Sequence, residues 1–268
     1  MKILVCLKQI LDPEIPARDF RVRSDEKAAD LAGANLVTNI FCENALETAL
    51  QFCDQIGEGE VTVLSLGGDS VEDMLRKALA MGADHAMRLD WPDALPADSS
   101  LTAKVLAAGI QKLGRFDAIF VGRESGDWGM GQTGAYLAEI LEFPLVSFVD
   151  EVKREGDGLL LRRQSDDGWE RFRVPLPVAI TITNSDDNLP RIPKTRDIMK
   201  SSQIPIRTLS LADLGLSAEE LHSENAVTQV VDLFVPNDSV ACEFVDGDSF
   251  DEKVDRFADR IAEIVKRV

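Results

Sequence analysis

Five glycines fall within thirteen residues in the segment Gly122-Arg123-Glu124-Ser125-Gly126-Asp127-Trp128-Gly129-Met130-Gly131-Gln132-Thr133-Gly134. The apolar run 118–121 precedes it, and a helical pattern carrying Ala135, Leu137 and Ala138 follows. Glycines let a backbone approach a ligand closely, and free amides at a helix start bind phosphate. In an open α/β sheet, ligands sit at the carboxyl ends of parallel strands. The segment is therefore the first candidate to hold a nucleotide phosphate. Its spacing is neither GxGxxG nor GxxxxGKS/T, which disfavours a dinucleotide fingerprint and an NTPase P-loop. A merely flexible glycine loop is the competing reading.

Two further loops stand in the same strand-to-helix position. Leu66-Gly67-Gly68-Asp69-Ser70 offers Asp69 or Ser70 as a helix cap. The stretch 38–43 leads into a helix expected to start near Glu43. Catalytic groups are scarce: His85 falls in an expected strand and His222 in a polar tail, which leaves a Ser-His-Asp or Cys-His arrangement without members. No metal-ligand spacing stands out. Asp166-Asp167 and Asp186-Asp187 read as solvated turn carboxylates rather than acid/base machinery. Cys6, Cys42, Cys53 and Cys242 show no CxxC pattern and read as small core residues, with Cys6 and Cys42 candidates to line a site. The residues look like a binder's rather than a catalyst's.

The elements that must position these loops follow from periodicity. Apolar runs at 3–7, 61–66, 85–89, 118–121, 145–149 and 178–183 read as strands of a parallel sheet. Helical spacing links Ala45, Leu46, Ala49, Leu50 and Cys53, then Met74, Leu75, Ala78 and Leu79, then Leu101, Val105, Ala108 and Leu113. Strands alternating with amphipathic helices predict an α/β fold, a parallel sheet with helices on both faces. Gly-Asp-Gly and Asp-Asp-Gly turns between polar-alternating runs predict an antiparallel β-hairpin insertion at 152–174. The expected α/β domain spans 1–207. Within it, 184–205, rich in Pro, Asn and Asp, reads as a long loop with a task of its own. Residues 208–268 form a C-terminal arm, with a short strand at 227–235 and a final helix striped by Val254, Phe257, Ala258, Ile261 and Val265.

Charge sets limits on partners. There are 47 acidic and 29 basic residues, a formal net charge of −18, in a chain of 268 residues. Nucleic-acid phosphates and anionic membrane surfaces would be repelled. The plain account of the acidity is a solvated surface. No apolar run reaches the ~20 residues of a membrane-spanning helix. The opening MKILVCLKQ passes directly into a strand pattern with no cleavage-site signature, so a cytoplasmic protein with reduced thiols is expected. Against this background Arg191, Lys194, Arg196, Lys200 and Arg207, with only Asp197 among them, form a local reversal of charge suited to a partner surface or a flavin phosphate environment.

Five phrases then resemble one family in order and spacing: ILVCLKQILD at 3–12, NIFCENALETAL at 39–50, KALAMGADHAMRL at 77–89, the glycine segment, and PLPVAIT followed by LPRIPKTRDIMK. Together they resemble the β subunit of electron transfer flavoproteins over roughly 2–207. The resemblance implies an adenine nucleotide α-hydrolase-like, Rossmann-like fold. It implies an electron-carrier subunit without catalytic residues of its own, paired with an α subunit that holds most of a shared FAD. The heterodimer would carry electrons from dehydrogenase partners to a quinone-linked or other acceptor. It also implies one buried AMP, with a pocket at Cys6, Asn39, Ile40, Phe41, Cys42, Leu66 and the loop Gly122, Arg123, Glu124, Ser125, Gly126, Asp127, Trp128, Gly129, Met130, Gly131, Gln132 and Thr133. Partner docking would fall on Arg191, Lys194, Thr195 and Arg196.

The chain departs from the family pattern at three places. Ile40 stands where the family often has proline, Pro13 where animal members place an aromatic at the flavin edge, and Thr195 where many carry a docking leucine. A bifurcating subgroup puts a second FAD in place of AMP and shows a DGDTAQVGP-like phrase; here only Gln132 and Gly134 of that phrase are kept, which favours AMP. Two other classes compete. An ATP-binding stress protein on a similar sheet is disfavoured by the basic loop and the tail, and an enzyme acting on the nucleotide by the missing catalytic groups.

Overall fold

The first apolar run becomes the middle of the sheet. In the computed structural model, which describes residues 1–16, 18–23, 27–30, 33, 35–91, 98–235 and 242–266, β1 (Lys2–Leu7) is buried from Ile3 onward, as a strand covered on both faces must be. Next come β2 (Gln9–Leu11), β3 (Val22–Arg23), β4 (Ala28–Ala29) and β5 (Leu36–Thr38), which form two small ribbons, β2 with β5 and β3 with β4. The α/β alternation follows: α1 (Ile40–Ile56), β6 (Glu60–Gly67), α2 (Glu72–Met81), β7 (His85–Asp90), α3 (Ser99–Leu113), β8 (Ala118–Gly122) and α4 (Thr133–Ile140). The chain continues through β9 (Leu145–Glu155), β10 (Gly158–Ser165), β11 (Gly168–Val174), β12 (Val178–Ile182), α5 (Thr195–Ser201), β13 (Ile206–Leu209), α6 (Leu211–Leu214) and α7 (Phe250–Val265).

Among the described residues one large sheet runs in the order β11-β10-β9-β12-β8-β1-β6-β7-β13. From β9 to β13 in that order every pairing is parallel, and β10 and β11 continue it antiparallel. Leu46, Phe52, Leu75 and Leu79 of α1 and α2 pack on one face against Ile3, Val5, Val63 and Phe120. Leu101, Leu106 and Ile110 of α3 and Leu137 of α4 pack on the other against Leu4, Leu64 and Ile119. This is the two-faced α/β architecture that the periodicity predicts.

Several local expectations need correction. Helix α1 starts at Ile40, three residues before Glu43, because Asn39 already accepts the amides of Cys42 and Glu43 on its carbonyl. The antiparallel hairpin is present as β10 and β11, but it does not start at 152: its flanking strand is β9, which runs unbroken from Leu145 to Glu155 and pairs with both β12 and β10. The stretch 184–205 is not a plain loop, since α5 occupies Thr195–Ser201 directly after Pro193. Residues 227–235 form no strand. Val231, Leu233 and Val235 alternate as a strand would, yet no sheet edge among the described residues pairs with them.

The chain divides into two units, Met1–Leu233 and Phe234–Val268. In the first, the chain beyond β13 returns to the core: Leu221 is buried, and Thr228 donates from its amide and hydroxyl to Asp98 at 2.8 and 2.9 Å. Asp98 also accepts from the Leu101 amide at 2.8 Å and so caps α3. In the second unit, α7 carries the expected stripe, and none of its described residues is buried. No helix among the described residues is long and apolar enough to cross a membrane.

Candidate functional site

Strand order reverses at β1. From β1 the chain builds outward through β6 and β7, then crosses to the other side of β1 to start β8. Such a switch point opens a crevice at the carboxyl ends of the two strands, here just beyond Leu7 and Gly122. The glycine segment begins at that spot.

Asn39, 1% exposed, joins the three parts of the crevice. Its backbone amide donates to the Lys8 carbonyl at 2.9 Å, fixing the end of β1. Its side-chain Nδ2 donates to the Glu124 carbonyl at 2.8 Å, and its Oδ1 accepts from the Gly126 amide at 3.0 Å, fixing the glycine loop. As the N-cap of α1 it makes no side-chain cap bond, because its carboxamide is spent on the loop. A β-carbon on Gly122 would lie 2.9 Å from the Phe41 carbonyl carbon and 3.0 Å from the Cys42 nitrogen, so the close approach of β8 to the start of α1 requires glycine.

The loop is then held from the β1 side. Lys8 Nζ lies 2.7 Å from Asp127 and donates to Ser125 Oγ at 3.3 Å. Burial pushes the Asp127 carboxyl up, but the Lys8 charge and hydrogen bonds from Lys8, Ser125 and Trp128 outweigh it and hold the group below its ordinary value. Arg123 turns back over α1: its guanidinium stacks 4.4 Å from the Phe41 ring centre, lies 2.9 Å from Glu124, and donates to Thr183 Oγ1 at 3.2 Å. Burial raises the thiols of Cys6 and Cys42 above their ordinary value, so both are neutral sulfurs of the crevice floor rather than nucleophiles.

Gly129 and Gly131 both take φ of +62°, left-handed backbone that suits glycine. This turn leads into α4 with five consecutive amides, Met130 through Gly134, that donate to no protein acceptor among the described residues. Helix starts and left-handed turns that present successive amides are anion cradles. Leu66, half-buried, packs against the core beneath α3, and Ile40 sits 49% exposed on the first turn of α1.

The structure thus brings together Asn39, Phe41, Cys42 and the glycine loop, with Cys6 beside Val121 on the neighbouring strand. It adds Lys8 and Ile10, which the sequence reading passed over; Ile10 Cδ1 would lie 3.2 Å from a β-carbon on Gly126. Lys8 is a single lysine just beyond β1, with no pattern around it to mark it. The second glycine turn behaves differently from the expectation. Neither Asp69 nor Ser70 makes a side-chain cap bond, and Asp69 instead pairs with the buried Arg88 of β7. Pro13 stands apart in an exposed turn pinned by Asp12, which accepts from Glu14 and Asn35 at 2.9 Å each.

The basic stretch is less free than its composition implies. Arg191 donates from Nε to the buried Glu47 of α1 at 2.8 Å and from Nη2 to Asp54 at 2.9 Å, so its charge is satisfied within the chain. Lys194, Thr195 and Arg196 are exposed at the start of α5, beside the exposed Ile192, Ile198 and Met199. The surface there mixes apolar and basic groups. Among the described residues no group of acidic, histidine or cysteine side chains has the clustering a metal ion needs.

Comparison with known proteins agrees with this geometry. Residues 31–214 match the model of the electron transfer flavoprotein domain. The chain is 34% identical over 262 residues to the electron transfer flavoprotein subunit beta of Thermoanaerobacterium thermosaccharolyticum, covering 97% of this chain and 98% of that one. It is 33% identical over 265 residues to the caffeyl-CoA reductase-Etf complex subunit CarD of Acetobacterium woodii, covering 98% of each. Against the electron transfer flavoprotein subunit beta of Megasphaera elsdenii it is 31% identical over 242 residues, 88% of each chain.

Proposed function

The chain belongs to the electron transfer flavoprotein family, among its β subunits, and we propose that it binds an adenine nucleotide in the crevice between β1 and β8 and completes, with an α subunit, the site of a shared FAD. The observation that carries this reading is the run of five unpaired amides, Met130 to Gly134, at the carboxyl edge of the sheet. A row of successive amides with no protein acceptor is well suited to a phosphate. AMP is the proposed occupant, its phosphate held by the loop amides and its nucleoside by Cys6, Asn39, Ile40, Phe41, Cys42 and Leu66. The residues fit such a group: the loop is held open in left-handed turns at Gly129 and Gly131 and fixed from beneath by Asn39. Bound FAD supplies the redox chemistry, and this chain's part is to hold, orient and shield.

The same amide row supports a second reading, a second FAD in place of AMP. Five donors in sequence are enough for a pyrophosphate as well as a monophosphate. Acid release of nucleotides from the purified heterodimer separates the two. Equal amounts of FAD and AMP fit the first reading, twice as much FAD with no AMP fits the second, and FAD alone in equimolar amount overturns both.

The redox partner is proposed to dock on the segment around α5, with Pro13 near the flavin edge. Ile192, Ile198 and Met199 would supply apolar contact and Lys194 and Arg196 would supply steering. Thr195, exposed at the start of α5, takes the place of a docking leucine and shifts weight from apolar anchoring toward charge. The Acetobacterium relative belongs by name to a complex with caffeyl-CoA reductase, which supports an oxidoreductase acting on a CoA thioester as the kind of partner.

A further inference from the structure

A cavity of about 330 Å³ opens at the amino-terminal edge of the sheet, the end away from the nucleotide crevice, and shares no residue with it. Strand register explains its composition. Lys2 stands beside Glu60, Thr62 beside His85, and Met87 beside Arg207. Residues two apart on a strand share a face, so all six project from one face of four adjacent strands. Arg115 and Phe116, in the loop after α3, form the facing wall.

The charge in this cavity runs against that of the molecule. Lys2, Arg115 and Arg207 line it against the single carboxylate of Glu60, whose nearest partner is His85 at 3.4 Å. Among the described residues the side chains of these three cations make no hydrogen bond and no ion pair within 4.0 Å. Two carboxylates nearby are already engaged: Asp117 accepts from the Lys2 backbone amide at 2.7 Å, and Asp213, which feels the Arg207 charge, accepts from Ser210 at 2.6 Å. In a chain with 47 acidic and 29 basic residues, three cations thus gather at one cavity against one lining carboxylate. Met87, Leu113 and Phe116 give the same cavity an apolar floor.

We propose that this cavity is a second ligand site, for a small organic phosphate whose apolar body lies on Met87 and Phe116 and whose phosphate meets Arg115, Arg207 and Lys2. Two guanidinium forks and an ammonium match a phosphate dianion better than a single carboxylate. The volume is at the lower end of small-ligand sites, which span ~300 to 1,000 Å³. The cavity holds a molecule of mononucleotide size or smaller.

The test is calorimetric titration of the intact heterodimer, its resident nucleotides in place, with 1-naphthyl phosphate at low ionic strength. Saturable equimolar binding is expected. Arg115→Gln and Arg207→Gln should each weaken it by about tenfold, and the double variant should abolish saturation. These side chains are exposed and unpaired, so the variants should keep the wild-type melting temperature and nucleotide content. 1-Naphthol and inorganic phosphate should each bind at least about tenfold more weakly than the combined molecule. Failure of wild type to saturate, an unchanged double variant, or loss of resident nucleotide from the variants would each overturn the site. Equal binding of 1-naphthol would reduce it to an apolar crevice, and equal binding of inorganic phosphate to an anion patch, and either result rejects the proposal.

Discussion

Helix α1 carries two regions built by opposite means. At its amino end the proposed nucleotide crevice is made largely of backbone: glycines that permit close approach, left-handed turns, and a row of amides with no protein acceptor among the described residues. Further along the same helix, the segment leading to α5 is fastened by side chains. Asn44 donates to the Asn188 carbonyl at 3.0 Å, Asn188 donates to Thr48 at 3.2 Å, Glu47 accepts from Arg191 at 2.8 Å, and Gln51 donates to the Asp187 carbonyl at 3.0 Å. A backbone site keeps its shape when one side chain is trimmed and fails when a β-carbon is added. A side-chain joint does the reverse. The contrast predicts which substitutions cost binding and which cost stability.

The largest stability effect should come from the joint. Asn188 is fully buried, donates to Thr48 and Thr183, and accepts from Asn44 and Ser185. Asn188→Ala strands several buried polar groups at once and should cost about 3 kcal/mol, read as a lower denaturation midpoint with an unchanged slope. A loss below about 1 kcal/mol would show that the joint is not held in this way.

Acid sharpens the same point at a second side-chain joint, where Asp98 links α3 to Thr228. Burial pushes this carboxyl up, but hydrogen bonds from Ser100, Leu101 and Thr228 outweigh it and bring it down to about 2. A carboxyl lowered in the folded state favours folding above its unfolded value near ~4, and loses that contribution as pH falls toward ~2. The contribution is about 2 kcal/mol, and Asp98→Asn should flatten the stability profile across that window. An identical acid profile in the variant would remove Asp98 from the account.

How far the two regions could be read in advance differs for the same physical reason. The glycine loop could be singled out because its glycines are contiguous in sequence, Gly122 to Gly134, after an apolar strand. The stretch 38–43 was singled out by its place before a helix, but the bonds from Asn39 to Glu124, 85 residues away, and to Lys8 follow no local pattern. Lys8 itself, a single lysine after a strand, carried no pattern. The docking segment was read as a basic loop because composition shows Arg191 but not that Glu47 faces it across 144 residues of chain. Pro190 and Pro193 also masked α5, although a helix starting just after a proline is permitted. The apolar alternation at 227–235 misled because a strand needs a pairing edge as well as a pattern.

The smallest effect should come from the exposed side of the proposed docking segment. Arg196 is 75% exposed at its side chain and lies 3.5 Å from Asp197. Arg196→Glu should leave the melting temperature and bound nucleotide unchanged and slow electron transfer from the partner only several-fold, most at low salt where steering is strongest. Rates that stay level across a salt series, for wild type and variant alike, would move docking away from this charge.

The central claim, that free backbone amides of the glycine loop hold a nucleotide, is tested most directly by Gly131→Val. Position 131 takes φ of +62°, with the Arg123 carbonyl oxygen 3.5 Å from where a β-carbon would stand. A branched side chain there distorts the amide row without touching either hydrophobic core. Nucleotides released by acid from equal amounts of wild-type and variant heterodimer are then counted. The account predicts that the variant loses the crevice nucleotide, AMP or one of two FAD, while the shared FAD remains at one per heterodimer. Full recovery of every nucleotide from a folded Gly131→Val heterodimer would contradict it.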